Sequence, residues 1–358
     1  MHTSLTIAPS SDRPALSDHI ISGDSLIIEA LAAINRLPGD VMTLFVVDSA
    51  GRMTGTLTDG DIRRALIGGI PLDAPSALAA HKAFRALRPG LQAFAVVKEA
   101  RKAGITLLPR LDAEGFPAGI VDLRLVRSML PLDAVLMAGG RGERLRPLTL
   151  DCPKPLLKVG QKAIIDYNVD ELKANGVERI FVTTNYLREQ IEEHFCRTQG
   201  VECVAEPMRL GTMGSLSLVA PELRSDNVIV MNSDLLTDLS FEDMYTRHVA
   251  TGAALTIAAV QYPVSVPFAI MQTEADRVTA LCEKPTYNYY ANAGVYILRR
   301  ELVERIPAAT YVDAPDFIGQ LIDEGAKVSY FPIQGTWIDI GSPDDFRYAC
   351  ELMSRPGR

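Results

Sequence analysis

Cysteine is scarce in this chain and poorly arranged for bridging. The five residues, Cys152, Cys196, Cys203, Cys282 and Cys350, are odd in number and form no C-x-x-C pair. A disulfide framework is thereby excluded, and reduced thiols of a cytoplasmic protein are expected. Positive charge is also in deficit. With 36 Lys+Arg against 44 Asp+Glu, the formal net charge is -8. A surface for nucleic acid or an anionic membrane would need a basic field, so neither partner is expected. Any anionic ligand must be held by local cations or a metal. Long apolar runs are missing too: the longest charge-free stretch, from Thr251 up to Glu274, is broken by Pro263 and Pro267 and reads as two strands rather than a membrane span. The opening MHTSLTIAPSSDRP lacks the basic start and apolar run of a signal peptide.

What is present is an ordinary globular balance, 47% hydrophobic and 22% charged over 358 residues, a length that suggests two domains. Residues 20–130 carry an internal repeat offset by 64. Asp48, Gly51 and Gly55 recur as Asp112, Gly115 and Gly119, with Arg63 and Arg127 in step. Each copy follows helix-like sequence: Ile27, Leu31 and Ile34 share a face before Pro38, and Leu91 to Lys102 is similarly helix-friendly. Each precedes a second expected helix, GDIRRAL and LRLVRSML. A helix, a hairpin and a helix, twice, predict a pseudo-symmetric pair.

This region resembles a tandem CBS (Bateman) module, whose nucleotide signature matches Gly55, Thr58 and Asp61 in the first copy. The resemblance implies an adenine nucleotide held through Thr58 and Asp61, and association into a homo-oligomer. The second copy departs, with Asp122 and Leu125 at the equivalent positions. Residues 1–19 are then an N-terminal arm. As an alternative, Asp61 serves as a helix cap.

From Leu132 the pattern changes to alternating strands and helices. Strands are expected over Asp133–Met137, Arg179–Thr184 and Val228–Met231. Helices are expected along the apolar face of Ile164, Ile165, Val169 and Leu172, and over Glu189–Phe195. Such alternation predicts an α/β, Rossmann-like, mainly parallel sheet with ligands at the strands' carboxyl ends. The stretch MAGGRGERLRPLT, residues 137–149, lies at one such end. Glycines there can bring backbone N–H groups against phosphate. A complete G-x-G-x-x-G is missing, since Leu145 stands at its last position, and no G-x-x-x-x-G-K-[ST] P-loop occurs. Downstream, Lys154 between Pro153 and Pro155 is expected in extended, rigid chain, a fixed cation ten residues after Arg144.

The combination GGRGERLRPLT…PKPLLKVG resembles the signature of sugar-phosphate nucleotidyltransferases, the nucleoside-diphosphate-sugar pyrophosphorylases. Further pieces follow in family order: EPMRLGTMGSL, VMNSDLL, CEKP, ANAGVYIL and GTWIDIGSPDDF. The resemblance covers 131–358 and implies transfer of a nucleoside monophosphate from an NTP to a sugar 1-phosphate, with Mg²⁺. It implies Asp234 and Asp339 as metal ligands and Arg144 and Lys154 as catalytic cations. Nucleotide would be held by Met137, Ala138, Gly139, Gly140, Gly142 and Gly211, and the sugar phosphate by Glu283, Lys284 and Asn292. Ala269 departs from the family's glycine beside the sugar. No serine, cysteine or histidine nucleophile is required, because the attacking phosphate is already an oxyanion. His194 and His248, in helix-like polar surroundings, receive no catalytic role, and Arg141 and Arg146 read as solvated.

A CBS pair ahead of this domain resembles bacterial surface-glycan enzymes, including nonulosonic-acid pathway members that use GTP and glucosamine 1-phosphate. Mannose or heptose 1-phosphate with GTP is the near alternative, and cytidylyl or uridylyl transfer a further one. A non-catalytic nucleotide sensor would be expected to lack Lys154 or Asp234, and both are present.

Overall fold

The computed structural model describes residues 15–37, 41–89 and 93–354. The first 14 residues of the expected arm, Pro38 and Leu91 lie outside them. The chain divides into two compact units, one running to Leu130 and including Ala174–Gly176, the other comprising Pro131–Lys173 and the chain from Val177 onwards.

In the first unit, β1 (Ile20–Ser22) leads into α1 (Ile27–Arg36), whose Ile27, Ala30 and Ile34 are buried at helical spacing. The strand β2 (Thr43–Val47) pairs parallel with β1 and antiparallel with β3 (Met53–Thr58). The helix α2 (Asp59–Ile67) follows directly. The second copy has α3 (Ala93–Lys102) and the antiparallel pair β4 (Leu107–Leu111) and β5 (Pro117–Asp122). The hairpins of the two copies join where Met53 N donates to Gly115 O at 3.0 Å, and Phe45, Met53, Leu107 and Leu111 share a core. The helix expected over LRLVRSML does not form. Asp122 instead accepts from the Arg124 backbone N–H at 2.9 Å and grips its guanidinium, a local side-chain bond that competes with helix initiation.

The second unit opens with β6 (Leu132–Met137) and a small pair, β7 (Lys158–Val159) and β8 (Lys162–Ala163). There follow α4 (Ile164–Ala174), β9 (Ile180–Thr184), α5 (Arg188–Phe195), β10 (Val201–Ala205) and the short turns α6 (Gly211–Gly214) and α7 (Leu216–Val219). The chain continues through β11 (Asn227–Asn232), β12 (Leu235–Thr237), α8 (Phe241–Thr251), β13 (Leu255–Ser265), β14 (Ile270–Glu274), β15 (Arg277–Cys282) and β16 (Thr286–Arg299). It ends with α9 (Arg300–Glu304), α10 (Ala314–Asp323), β17 (Val328–Pro332), β18 (Trp337–Asp339) and α11 (Pro343–Met353).

Seven strands form the main sheet in the order β10-β9-β6-β11-β16-β13-β17. The first four are mutually parallel, but β16 runs antiparallel to both β11 and β13, so the sheet is mixed rather than simply parallel. The physical reason is the long excursion from β13 through β14 and β15 to β16, a meander that returns the chain in the opposite direction without a crossover helix. All five residues of β9 are buried, as are the first five of β6. Burial on both faces is what a strand inside a parallel sheet requires, and it explains their mainly apolar character, with Asp133, Thr183 and Thr184 as the buried polar exceptions. The carboxyl ends of β9, β6 and β11 fall in register, with Met137 beside Thr183 and Asn232. That edge receives the glycine-rich loop.

Candidate active site

The loop after β6 is shaped by side chains that reach back to it. Gly142 takes a left-handed φ of 59°, and a Cβ there would lie 2.9 Å from Thr149 Cγ2 and 3.1 Å from Lys154 Cβ. Thr149 Oγ1 donates to Gly142 O at 2.8 Å, closing the loop on itself. A Cβ on Gly139 would sit 2.5 Å from Glu206 Oε1, whereas Gly140 has open space above it. Met137 carries the strand end, its carbonyl accepting from Ser233 Oγ at 2.7 Å, and Ala138 is buried beside it. Buried Leu145 anchors the turn carrying Arg144, whose exposed guanidinium lies over Gly341, 2.9 Å from where a Cβ would be. Arg141 and Arg146 remain largely exposed, each 3.9 Å from Glu143.

Lys154 is the buried cation of this edge, 9% exposed. It opens a short 3-10 turn, Lys154–Leu156, rather than lying in extended chain. Pro153 keeps the extended conformation before it, and the Leu157 N–H closes the turn on the Lys154 carbonyl. Lys154 Nζ bonds to Asp234 Oδ2 and stands 3.8 Å from Asp339 Oδ1. The two acids are brought together by the pairing of β12 with β18, where Leu235 faces Asp339 and Ile340 N donates to Asp234 O. Burial and then the charge of Asp234 push the Asp339 carboxyl up from its ordinary range, and Lys154 and Arg144 pull it back. Asp234 Oδ1 is buried with no hydrogen-bond partner among the described residues.

That bare oxygen and the opposed second carboxylate fit a divalent cation. Among the described residues no cluster of three or more His, Cys, Asp or Glu side chains is arranged to hold a metal. Two carboxylates suffice for Mg²⁺ when phosphate oxygens complete the shell.

Beside this pair lies a cleft of about 470 Å³, lined in part by Asn292, Asp339, Trp337, Thr212, Asp313 and Asp316. Asn292 Nδ2 donates to Tyr296 OH at 2.8 Å, and its Oδ1 accepts from Gly294 N, so its amide is fixed at the cleft wall. Trp337 Nε1 donates to Ala293 O. Gly211, with φ 76°, lies where any Cβ would clash with Val312 O at 2.6 Å, and Thr212 N and Oγ1 both point to Asp313 Oδ1. This bolt between chain segments a hundred residues apart carries no local pattern, and reasoning from sequence passed over Asp313 and Thr212. Glu206 was also missed, although it lies in the quoted EPMRLGTMG. It is buried, accepts from Leu210 N at 3.3 Å, and burial raises its carboxyl. Glu283 and Lys284 stand apart: both are exposed, between β15 and β16, Lys284 at φ 44°, and neither lines the cleft. Ala269 is exposed as well, just before β14.

His194 and His248 are engaged elsewhere. His194 is paired with Asp166 at 2.7 Å. His248 lies on α8 and is buried, 2% exposed, with Thr256 Oγ1 at 2.9 Å and Asn227 Oδ1 at 3.0 Å as its polar partners. In the first unit, Thr58 and Asp61 form a capping box on α2. Asp61 Oδ2 accepts from both Thr58 N and Thr58 Oγ1, and Arg64 pairs with Asp61 Oδ1 at 2.6 Å.

Residues 133–354 match the model of the nucleotidyl transferase family. The chain belongs to that family. Mannose-1-phosphate guanylyltransferase of Mycobacterium tuberculosis is 33% identical over 226 residues, covering 60% of this chain and 62% of that one. Mannose-1-phosphate guanyltransferase beta-A of Xenopus laevis is 30% identical over 227 residues, with coverage of 60% and 62%. The chain therefore spans less than two thirds of the length of these relatives. The crystal structure of HddC from Yersinia pseudotuberculosis complexed with GMP-PN aligns with a TM-score of 0.50 and 24% identity, over 62% of this chain and all of that one, a likeness of fold. No helix among the described residues is long and apolar enough to cross a membrane.

Proposed function

We propose that this chain transfers a nucleoside monophosphate, GMP in preference, from the triphosphate to a sugar 1-phosphate and releases pyrophosphate. The observation that carries this reading is the Asp234–Lys154–Asp339 cluster, with its unpartnered carboxylate oxygen, at the carboxyl edge beside the glycine-rich loop. Mg²⁺ held by Asp234 and Asp339 would neutralise phosphate charge. The chain supplies the rest. The open backbone at Gly140 lets the triphosphate approach, with Met137, Ala138, Gly139 and Gly142 shaping the loop and Gly211 the far wall. Lys154 holds the α-phosphate and the incoming sugar phosphate in line. A sugar-phosphate oxygen attacks the α-phosphorus, the bond to the β-phosphate breaks, and the departing pyrophosphate keeps that electron pair beside Arg144. No proton transfer is needed.

GTP is favoured by the names of the relatives and by Glu206. A carboxylate can accept from adjacent N–H donors, which guanine offers on one edge. For the sugar, the acidic lining of the cleft by Asp313 and Asp316 suits an ammonium, and so favours glucosamine 1-phosphate over the mannose 1-phosphate named for the relatives. Asn292 fits the sugar, and when their segment folds toward the cleft Glu283 accepts from the sugar hydroxyls and Lys284 holds its phosphate. Residues 20–130 are proposed as a regulatory CBS pair. Nucleotide binding at Thr58 and Asp61 would have to displace Arg64, and calorimetric titration of the full chain with ATP and AMP tests this.

The test of the main reading is a matrix of four NTPs against glucosamine, mannose and heptose 1-phosphates, scored as kcat/KM. Highest turnover with GTP and glucosamine 1-phosphate is expected. Preference for the neutral sugars would overturn the aminosugar assignment, and preference for CTP or UTP the role of Glu206.

A further inference from the structure

We infer that Gly341 is a positioning residue for Arg144: its bare backbone is the floor on which the guanidinium rests, and that floor sets where the arginine's donors meet the departing pyrophosphate. The inference rests on the proposed reaction and concerns a residue to which that reading gives no part. The three atoms nearest to a Cβ on Gly341 would all belong to Arg144, with Nη2 at 2.9 Å, Nη1 at 3.1 Å and Cζ at 3.2 Å. Both terminal nitrogens and the carbon between them are met at once, so the glycine supports the whole end of the side chain.

Other observations separate Gly341 from the glycines that serve a turn. Its φ lies outside the left-handed region that Gly142 and Gly211 occupy, so its backbone would accept an L side chain. What such a side chain meets first is the arginine. Arg144, in turn, makes no hydrogen bond or ion pair with any of the described residues. Its N–H donors are left for phosphate, and packing against Gly341 is what holds them in place.

The floor itself is firm. Ile340 is fully buried, and its N–H donates to Asp234 O at 3.2 Å. Gly341 N donates to Asp339 O at 2.7 Å. On the other side Ser342 N donates to Asp345 Oδ2 at 2.9 Å, within the capping box that opens α11. Both neighbours of Gly341 are thus tied, one to the segment carrying Asp234 and the other to a helix. A methyl group in ordinary contact needs about 3.5–4.0 Å, so the guanidinium, at the end of an exposed flexible stem, is what yields, by roughly 0.5–1 Å. A misplacement of ~1 Å can lower a rate by about 10²-fold. Because only the end of an exposed side chain moves, the fold loses little.

A double-mutant cycle on the full chain tests this, with Gly341→Ala, Arg144→Ala and the pair. It is read by kcat for pyrophosphate release and by calorimetric titration with inorganic pyrophosphate in Mg²⁺. Gly341→Ala is expected to lower kcat by roughly 10–100-fold and the affinity for pyrophosphate by about 10-fold, a loss of about 1.4 kcal/mol, with an unchanged thermal midpoint. Added to Arg144→Ala, the same substitution is expected to change neither quantity, since the group it displaces is gone. Added to Arg144→Lys, whose compact ammonium clears a methyl, it is expected to have a smaller effect than in the wild type. Wild-type kcat and pyrophosphate affinity in Gly341→Ala overturn the inference. So does a full effect that persists without Arg144, or a thermal midpoint lowered in both backgrounds, the mark of a purely structural role. A wild type that neither binds nor releases pyrophosphate removes the proposed reaction and this inference with it, whereas a wild type that does both, matched by Gly341→Ala, removes the inference alone.

Discussion

Two polar clusters, one in each unit, fall on sequence motifs and differ in what they leave open. At the start of α2, Thr58 and Asp61 spend their hydrogen bonds on one another and on Arg64, and the cluster is closed. At the carboxyl edge of the main sheet, Asp234 keeps a buried oxygen with no partner among the described residues, and Asp339 is held beside it at the cost of a raised carboxyl. A buried unsatisfied polar atom costs about 1–3 kcal/mol. A fold retains such an arrangement where a ligand completes it, whereas a satisfied cap accounts for itself. The bare oxygen, more than the motif letters, carries the proposed active site.

Breaking the open cluster has the largest expected effect. Lys154→Ala and Asp234→Asn should each lower kcat by roughly 10²–10³-fold or more, the range for removing one preorganised electrostatic contact. Steady-state pyrophosphate release measures it, and near-wild-type kcat in either variant would equate the two clusters. Next in size is a buried group outside both. Burial and Arg299 hold the His248 imidazole down at about 4 from an ordinary 6.5. The unfolded chain takes up the proton first as pH falls. Stability present at neutral pH is therefore lost between about 6.5 and 4, by roughly 3 kcal/mol. Urea midpoints across that window, with His248→Gln flattening the slope, check it; parallel curves for the two proteins would contradict it. Gly142→Ala should cost roughly 1–3 kcal/mol and also reduce kcat, because the added methyl meets Thr149 and Lys154 in a left-handed backbone. Smallest is the closed cluster. Thr58→Ala removes the cap, about 1 kcal/mol, visible as a lowered thermal midpoint. A loss several times larger would mean that this cluster, too, does more than cap.

Much of the scaffold was legible in the sequence because its signals are local. The buried runs of β6, β9 and β11 read as strands from their apolar continuity, and Ile164, Ile165, Val169 and Leu172 as a helix face from their spacing. Lys154 stood out between its prolines, although Pro153 and Pro155 hold it in a turn rather than an extended segment. What was not legible depends on distant chain. The reversal of β16 in the sheet follows from the β14–β15 excursion. The LRLVRSML segment is the local exception, losing its helix to the neighbouring Asp122. His248 looked polar by its helix neighbours and is buried by Asn227 and Thr256. Asp313 is tied at the cleft to Thr212, and no spacing along the chain announces that pairing. Glu283 and Lys284 were named from a motif, yet their position on an exposed arm reflects tertiary context.

The measurement that bears most directly on the open cluster is a single pyrophosphate-release assay of the wild type, Lys154→Ala and Asp234→Asn with Mg²⁺, GTP and sugar 1-phosphates, run with and without chelator. Rapid release by the wild type, abolished by chelation and by either substitution, is the predicted result. No release with any sugar 1-phosphate and any NTP, or release indifferent to Asp234, would contradict the account.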